Sequence, residues 1–544
     1  MSSRPEKKAD GRYLQGFNFK SLIRAAVALV ILIVANVFNF DKLIYILVAL
    51  AALIVAGFGL ILAAVKSIER KDYFSSQMLI LVAAAGAFGA GCMREAILML
   101  ILGLILVTIL DYIVYQEKLH TENYISDVNS DEFAILKAIL SQKEAYETTL
   151  EAKLLPILDS FAKAAVLVGV LYAIFMPMIV DMTYLSSIRR GLMLILVASP
   201  VSMVASLPVS SAVGISTAAA YGAFIRDGKT LEMTGRLNTV ILDKSDVVAD
   251  GTPKLVSYTS PVFDNDTFLK VAAYIAFNSE QRIASAISNV YFGVVHPEVI
   301  GKFRAIPGNS MEMLVNGIPI CLSTRTVLDS RRIQAPVIDE TDGAVLYMTV
   351  AGKYAGAMQF SHAMNSNAKE VVEDIKNVTD AEIILFTEDS RRLTKIAADE
   401  ILADEFVCEC DTAKKLEAVE QVVTRADEAD VIMYVTAENL DYHTSADIDG
   451  RVGYSADNAD MLLAGSGLES LPYACAAAKR TKKIQRENLI LAIAVKLVLI
   501  VLAFAGFATL WFVILTDTVA AILTVINTSR ISDESFTSKL NDRL

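Results

Sequence analysis

Cysteine is scarce in this chain: five residues in 544, odd in number and scattered. Such a set makes no disulfide framework and fits exposure to a reducing compartment. A basic excess is also missing, the formal net charge being −12. A nucleic-acid surface needs a basic stripe, so no nucleic-acid partner is expected. No cleavable leader is expected either, because the first apolar run is long and no small-residue cleavage site follows it. The sequence carries no internal repeat and no low-complexity segment. Charge is thin: 20% of residues are Asp, Glu, Lys or Arg, against 54% hydrophobic. Soluble domains carry about 25% charged residues, so membrane spans and lipid contact are expected.

Apolar runs of spanning length, about 20 residues, begin at "SLIRAAVALVILIVANVFNF" and "KLIYILVALAALIVAGFGLILAAV". "QMLILVAAAGAFGAG" is short, and "REAILMLILGLILVTILDYIVY" is full length. A second group lies near 157–182 and 188–223, and a final pair near 488–508 and 510–528. That makes about eight spans grouped four, two and two. Arg4, Lys7, Lys8, Arg12 and Lys20 precede the first span, and Lys66, Arg70 and Lys71 follow the second. Basic flanks favour the cytoplasm. With Arg226 and Lys229 after the sixth span, the block 229–485 and both termini are expected inside, in a multi-pass plasma-membrane protein.

After Lys229 the pattern alternates. "TVILDKS", "AEIILFTED", "EFVCECD" and "DVIMYVTA" read as strands; "NAKEVVEDIKN", "RRLTKIAADEIL" and "KKLEAVEQVV" between them read as helices. Strand–helix alternation predicts a parallel sheet with helices on both faces and ligands at the strands' carboxyl ends. Asp243, Thr387, Asp411 and Thr436 stand at those ends. Residues 255–355 interrupt the alternation. Helices are expected in "NDTFLKVAAYIAFNSEQRIASAISNVYF", and hairpins in "MEMLVNGIPICLST" and "AVLYMTVAGKYAGAMQF" around Asn-Gly and Gly-Lys turns. Cys408 and Cys410 alternate on one expected strand, which puts both side chains on one face. His120, His362 and His443 have no spacing that suggests a site.

A late span with Ser-Pro leads to "GAFIRDGKTLEMTGRLNTVILDKS". An inserted module follows, then "TED" after a strand, then two terminal spans. This order resembles the heavy-metal-transporting P-type ATPases, most clearly over 198–254 and 480–530. The resemblance implies a multi-span helical membrane domain with a cytoplasmic haloacid-dehalogenase-like α/β domain. That domain would carry a small inserted α/β module like a nucleotide-binding domain. The expected division is membrane helices one to four in 1–116, a short helical cytoplasmic segment at 117–156, and helices five and six in 157–228. The phosphorylation-type domain takes 229–254 and 356–485, the insert 255–355, helices seven and eight 486–530, and the tail 531–544.

The resemblance also assigns roles. Asp243, Lys244 and Ser245 match the family's phosphorylated Asp-Lys-Thr, with Asp246 in place of Gly and Val247 in place of Thr. Asp246 adds negative charge where phosphate would arrive and removes glycine's conformational freedom. Thr387 matches a phosphate-binding Thr, with Glu388 in place of Gly, and Lys415, rather than Lys414, matches the phosphate-site lysine. ATP and Mg²⁺ are the implied cofactors. In "MYVTAENLDYH", Thr436 replaces the first metal-binding Asp, Asn439 is kept, and Asp441 stands one residue late. Gly308 survives from the nucleotide turn, but Ser310 replaces its second Gly. Gln281-Arg282 replace His-Pro, and His296-Pro297 downstream read as coincidence. For transported metal, Ser199, Pro200 and Val201 replace Cys-Pro-Cys. Glu95, Lys496 and Asp517 remain as membrane polar groups, where Lys496 and Asp517 can also neutralise each other. Finally, the family's cytoplasmic domain with a Thr-Gly-Glu loop has no counterpart. Roughly 40 residues separate the spans, too few for an independent core.

Several essential parts depart together, so the expected role is a catalytically degenerate relative with a binding, regulatory or scaffolding task. Three alternatives stay open: an active divergent cation pump, a membrane sensor for a phosphorylated ligand, and a subunit that assembles with another P-type ATPase or membrane protein.

Overall fold

The computed structural model describes residues 19–38, 40–69, 76–127, 146, 148–197, 203, 206–249, 254–279, 282–296, 300–306, 310–338, 344–361, 364–389, 391–410, 412–427, 429–436, 447–452, 459–464 and 468–532. The chain divides into two compact units, one of Met1–Tyr221, Ile225–Gly235 and Ala477–Arg543, the other of Gly222–Phe224 and Arg236–Ala476.

In the first unit, six helices among the described residues are long and apolar enough to cross a bilayer. They are Phe19–Val37, Lys42–Glu69, Met93–Asp127, Thr149–Ile179, Leu471–Ala505 and Leu510–Thr528. The expected third span, Ser76–Gly89, has 14 residues and falls short of that length. Among the described residues, the expected span at 188–223 includes the helices Tyr184–Val197 and Ser206–Ala219. Packing is inverted relative to a soluble bundle. Ala25, Ala28, Ala52, Ala56, Ala83 and Ala96 are buried between helices, while Val30, Ile33, Leu47, Ile54, Leu167 and Phe175 face outward. Lipid solvates large apolar side chains as well as a core does, so close helix approach falls to small residues. Gly169 illustrates the approach, because a Cβ there would lie 2.7 Å from the Gly191 carbonyl oxygen.

The second unit holds two sheets. The strands of the first are β1 Ala223–Ile225, β2 Leu237–Asp243, β9 Glu382–Phe386, β10 Glu405–Val407, β11 Val431–Thr436, β12 Asp447–Val452 and β13 Met461–Leu463. They lie in the order β1-β13-β12-β11-β2-β9-β10. The pairs from β13 through β10 are parallel. Helices Ala368–Thr379, Arg391–Ile401 and Thr412–Arg425 alternate with these strands. The predicted strand–helix alternation is therefore realised. The insert contributes β3 Lys254–Thr259, β4 Ile300–Ile306, β5 Ser310–Val315, β6 Ile318–Ser323, β7 Ala344–Val350 and β8 Lys353–Ser361. These form an antiparallel sheet in the order β3-β8-β7-β6-β5-β4. Helices Asn265–Ala276 and Arg282–Ser288 share its core with Met311, Leu322, Leu346 and Phe360.

Two local expectations are corrected. The first hairpin turns at Asn316-Gly317, both at positive φ (51° and 77°), as a type I′ turn requires. The second turns at Ala351-Gly352 (46° and 74°) and not at Gly352-Lys353. Cys408 and Cys410 do not alternate on a strand, because β10 ends at Val407 and Glu409 is left-handed at φ 56°.

The short edge strand β10 is tied down by a charged group at its start. Lys376 Nζ donates to Asp404 Oδ1 and to the Leu402 carbonyl, each at 2.7 Å. Asp404 Oδ2 accepts the Ile383 N–H at 2.8 Å. Burial pushes the Asp404 carboxyl up, but the Lys376 ammonium and the Ile383 amide outweigh it and hold it below the usual range. A depressed folded-state value gives stability that is present above the unfolded value, about 3.9, and lost as pH falls through the folded value. With solvent screening of this partly exposed pair allowed for, Asp404→Asn is expected to lower the local unfolding free energy of β9 and β10 by about 1 kcal/mol at pH 7. The difference from wild type should shrink as pH drops below about 4. Hydrogen exchange across 382–386 and 404–407 measures it.

Candidate functional site at the strand ends

Parallel strands end together. The register sets Asp243 beside Phe386 and Leu242 beside Val435. Asp243, Thr387 and Thr436 therefore meet at the carboxyl edge of β2, β9 and β11. All three are buried, as Ile241, Ile384 and Ile432 pack with Val419 on one face of these strands and Val240, Leu242, Ile383 and Met433 are buried on the other.

Lys415 arrives from the first turn of helix Thr412–Arg425. Its Nζ donates to Asp243 Oδ2 at 2.7 Å, with side-chain exposures of 0% and 1% for the two residues. The Thr436 hydroxyl donates to the same oxygen at 3.3 Å. Lys414 is exposed and donates to the Glu409 carbonyl at 3.1 Å, so Lys415 is the lysine that reaches the site. Lys244 opens a π-helical turn, Lys244–Val248, and pairs with Asp389 in a second buried ion pair. The loop after β9 is stitched in place. Asp389 N–H donates to Thr387 Oγ1 at 3.1 Å. Thr387 N–H donates to the Val407 carbonyl, Cys410 N–H to the Thr387 carbonyl, and Glu409 N–H to the Asp389 carbonyl. Asp389 closes "TED", where the family's "TGD" ends in the same residue. Its signal in the sequence is the last letter of the motif that supplies Thr387 and Glu388.

Several expected site residues lie outside the described residues: Gly308, Asn439, Asp441, Asp411, Gln281, Ser199 and Pro200, with the side chains of Ser245, Asp246 and Arg282. Glu388 is half-buried beside Thr387.

Mg²⁺ takes oxygen ligands in near-octahedral geometry. At the described strand ends the buried carboxylates Asp243 and Asp389 each hold an ammonium group, and position 436 offers a hydroxyl. These residues as arranged do not fit the ion. Among the described residues no group of three His, Cys, Asp or Glu side chains converges as a metal site.

Within the membrane unit, Lys496 and Asp517 do come together. Lys496 Nζ donates to Asp517 Oδ1 at 2.8 Å and to the Val197 carbonyl at 3.0 Å. Val197 is the last residue of helix Tyr184–Val197, three before Pro200. Glu95 stands in the first turn of helix Met93–Asp127, and no described metal cluster includes it.

No family model matches the chain. Among curated proteins it is similar to the cadmium, zinc and cobalt-transporting ATPase of Bacillus subtilis (strain 168), 25% identical over 381 residues, covering 68% of this chain and 54% of that protein. It is likewise similar to the zinc-transporting ATPase of Synechocystis sp. (strain ATCC 27184 / PCC 6803 / Kazusa), 25% identical over 63% of this chain and 49% of that one. The chain thus spans about half the length of the curated relatives it matches. Among solved structures, a zinc-transporting PIB-type ATPase in its E2.Pi state superposes with a TM-score of 0.61 at 18% identity, covering 95% of this chain and 100% of that one. A second crystal structure of a zinc-transporting PIB-type ATPase, in another state, gives 0.56 at 18% identity, over 94% of this chain and 99% of that one. In sequence the chain is similar to heavy-metal-transporting ATPases, and in fold to the zinc-transporting PIB-type ATPase.

Proposed function

We propose that this protein is a P-type ATPase-like integral membrane protein of the heavy-metal type whose phosphoryl-transfer site no longer turns over. Its task is then binding, regulation or scaffolding at the membrane. The observation that carries this reading is Asp243 Oδ2, held at once by the buried Lys415 ammonium and the Thr436 hydroxyl. An aspartyl nucleophile needs a free carboxylate oxygen in line with phosphorus, and a divalent cation to neutralise the charge that develops. Here the oxygen is engaged and the position that should hold a metal-binding carboxylate is Thr436. The sequence also contains no Thr-Gly-Glu to direct water onto a phosphoenzyme. In the membrane, a tethered ammonium occupies the Asp517 carboxylate, where a transported cation would need a ligand.

On this reading the protein sits in the plasma membrane with 229–485 and both termini in the cytoplasm. ATP and Mg²⁺ are vestigial partners, and contact with another P-type ATPase or membrane subunit is the remaining outlet for function. The retained Asp243, Lys244 and Lys415 favour one second reading, a divergent pump. The names of the curated relatives supply the ions to try: zinc, cadmium and cobalt.

Two experiments test the proposal. Purified protein incubated with γ-labelled ATP and Mg²⁺, then acid-precipitated, is expected to carry no label; a hydroxylamine-labile label lost in Asp243→Asn would establish the pump reading instead. In parallel, Thr436→Asp supplies the missing carboxylate. Mg²⁺ at about 100 times its Kd should then stabilise the variant by about 2.7 kcal/mol and leave wild type unmoved.

The ion pair itself makes a separate prediction. Lys415→Met strands a buried carboxylate and is expected to cost about 3–5 kcal/mol. The double variant Asp243→Asn, Lys415→Met should regain most of that loss in a thermal unfolding experiment, because both charges have gone.

A further inference from the structure

Where the resemblance puts a cytoplasmic domain with a Thr-Gly-Glu loop, this chain makes a short connection between helices Met93–Asp127 and Thr149–Ile179. The landing point of that connection is closely packed. Tyr146 is 2% exposed and Thr148 is 1% exposed, although both precede a helix and lie outside the apolar spans. Thr121 and Ile125, on the far end of helix Met93–Asp127, are buried as well. Burial pushes the Tyr146 phenol up, and the carboxylates of Glu122 and Glu117 push it further.

The second contact comes from elsewhere in the chain. The first amides of a helix have no intrahelical partner, and a carboxylate there is favoured by hydrogen bonding and by the helix dipole. The Leu150 N–H, in the first turn of helix Thr149–Ile179, donates to Glu232 Oε2 at 2.9 Å. Glu232 lies 82 residues later in sequence, on the short helix Gly228–Thr234. That helix is fixed at its own start, where the Thr230 N–H donates to Asp227 Oδ1 at 2.8 Å. From its end the chain runs directly into β2, which carries Asp243.

We propose that Tyr146, Thr148, the Leu150 amide and Glu232 form a clasp, an intramolecular device that binds helix Gly228–Thr234 to the cytoplasmic ends of helices Met93–Asp127 and Thr149–Ile179. The clasp holds together three elements distant in sequence. It fastens them at the connection that in the resembling pumps is given over to a separate domain. It does so whether or not Asp243 accepts phosphate.

Hydrogen exchange of the full-length protein in nanodiscs tests the clasp, read in peptides covering 117–127, 146–154 and 228–236, with 510–528 as control. Glu232→Ala removes the trans cap and is expected to speed exchange by about tenfold in 146–154. The same variant should loosen 117–127 and 228–236 and leave the control unchanged. Glu232→Gln keeps an acceptor oxygen and should loosen the three segments less. Tyr146→Ala should loosen the same three together. Unchanged exchange in both alanine variants overturns the clasp, and so does loosening confined to 146–154, which would reduce the contact to a local cap. If Glu232→Ala fails to fold, Glu232→Gln and Tyr146→Ala carry the same comparison.

Discussion

The buried contact between Asp243 and Lys415 is the constraint on which the site in the second unit depends. Removing a carboxylate and an ammonium from water costs several kcal/mol per ion, and their attraction offsets this only when geometry is good and the remaining hydrogen-bonding capacity is met. Both conditions hold here, with Nζ at 2.7 Å and the Thr436 hydroxyl on the same oxygen. The Lys244–Asp389 pair repeats the arrangement one residue along. Four buried charges are thus cancelled in two internal pairs. A site that cancels its own charge has little electrostatic reason to attract either a phosphate or a divalent cation.

The membrane unit answers the same problem in the same way. A carboxylate inside a bilayer is costly unless it meets a partner. Asp517 meets Lys496, which also reaches the Val197 carbonyl, three residues before a proline that cannot continue the helical ladder. In both units buried charge is balanced from within the chain.

Most of the fold could be read from the residues. The strand–helix alternation after Lys229 and the position of Asp243 at a strand end followed from pattern and spacing, and the choice of Lys415 over Lys414 followed from the family resemblance. What escaped depended on tertiary partners. β12 and β13 have no strong strand pattern of their own. The 188–223 stretch reads as one long apolar span, and its described residues include two 14-residue helices. Cys408 and Cys410 looked like strand neighbours, because nothing in "EFVCECD" announces that Glu409 turns left-handed to send its N–H to Asp389. Glu232 was invisible as a cap, since a contact across 82 residues leaves no local signature.

The survival of the Asp-Lys pair is also weaker evidence for catalysis than it looks. Once two opposite charges are buried against each other, losing either alone leaves the other unpaired at a cost of about 3–5 kcal/mol. That is comparable to the whole stability of a marginal domain, about 5–15 kcal/mol. Losing a carboxylate at position 436 carries no such penalty, because a hydroxyl that donates to Asp243 satisfies itself and its partner. On the reading proposed above, physical chemistry alone predicts which parts of a phosphorylation site persist once it is no longer used. The mutually paired charges stay, while the groups whose only partner was an external ion or nucleotide drift. The contrast of Asp243, Lys244, Asp389 and Lys415 with Thr436 is the pattern that burial of paired charge demands.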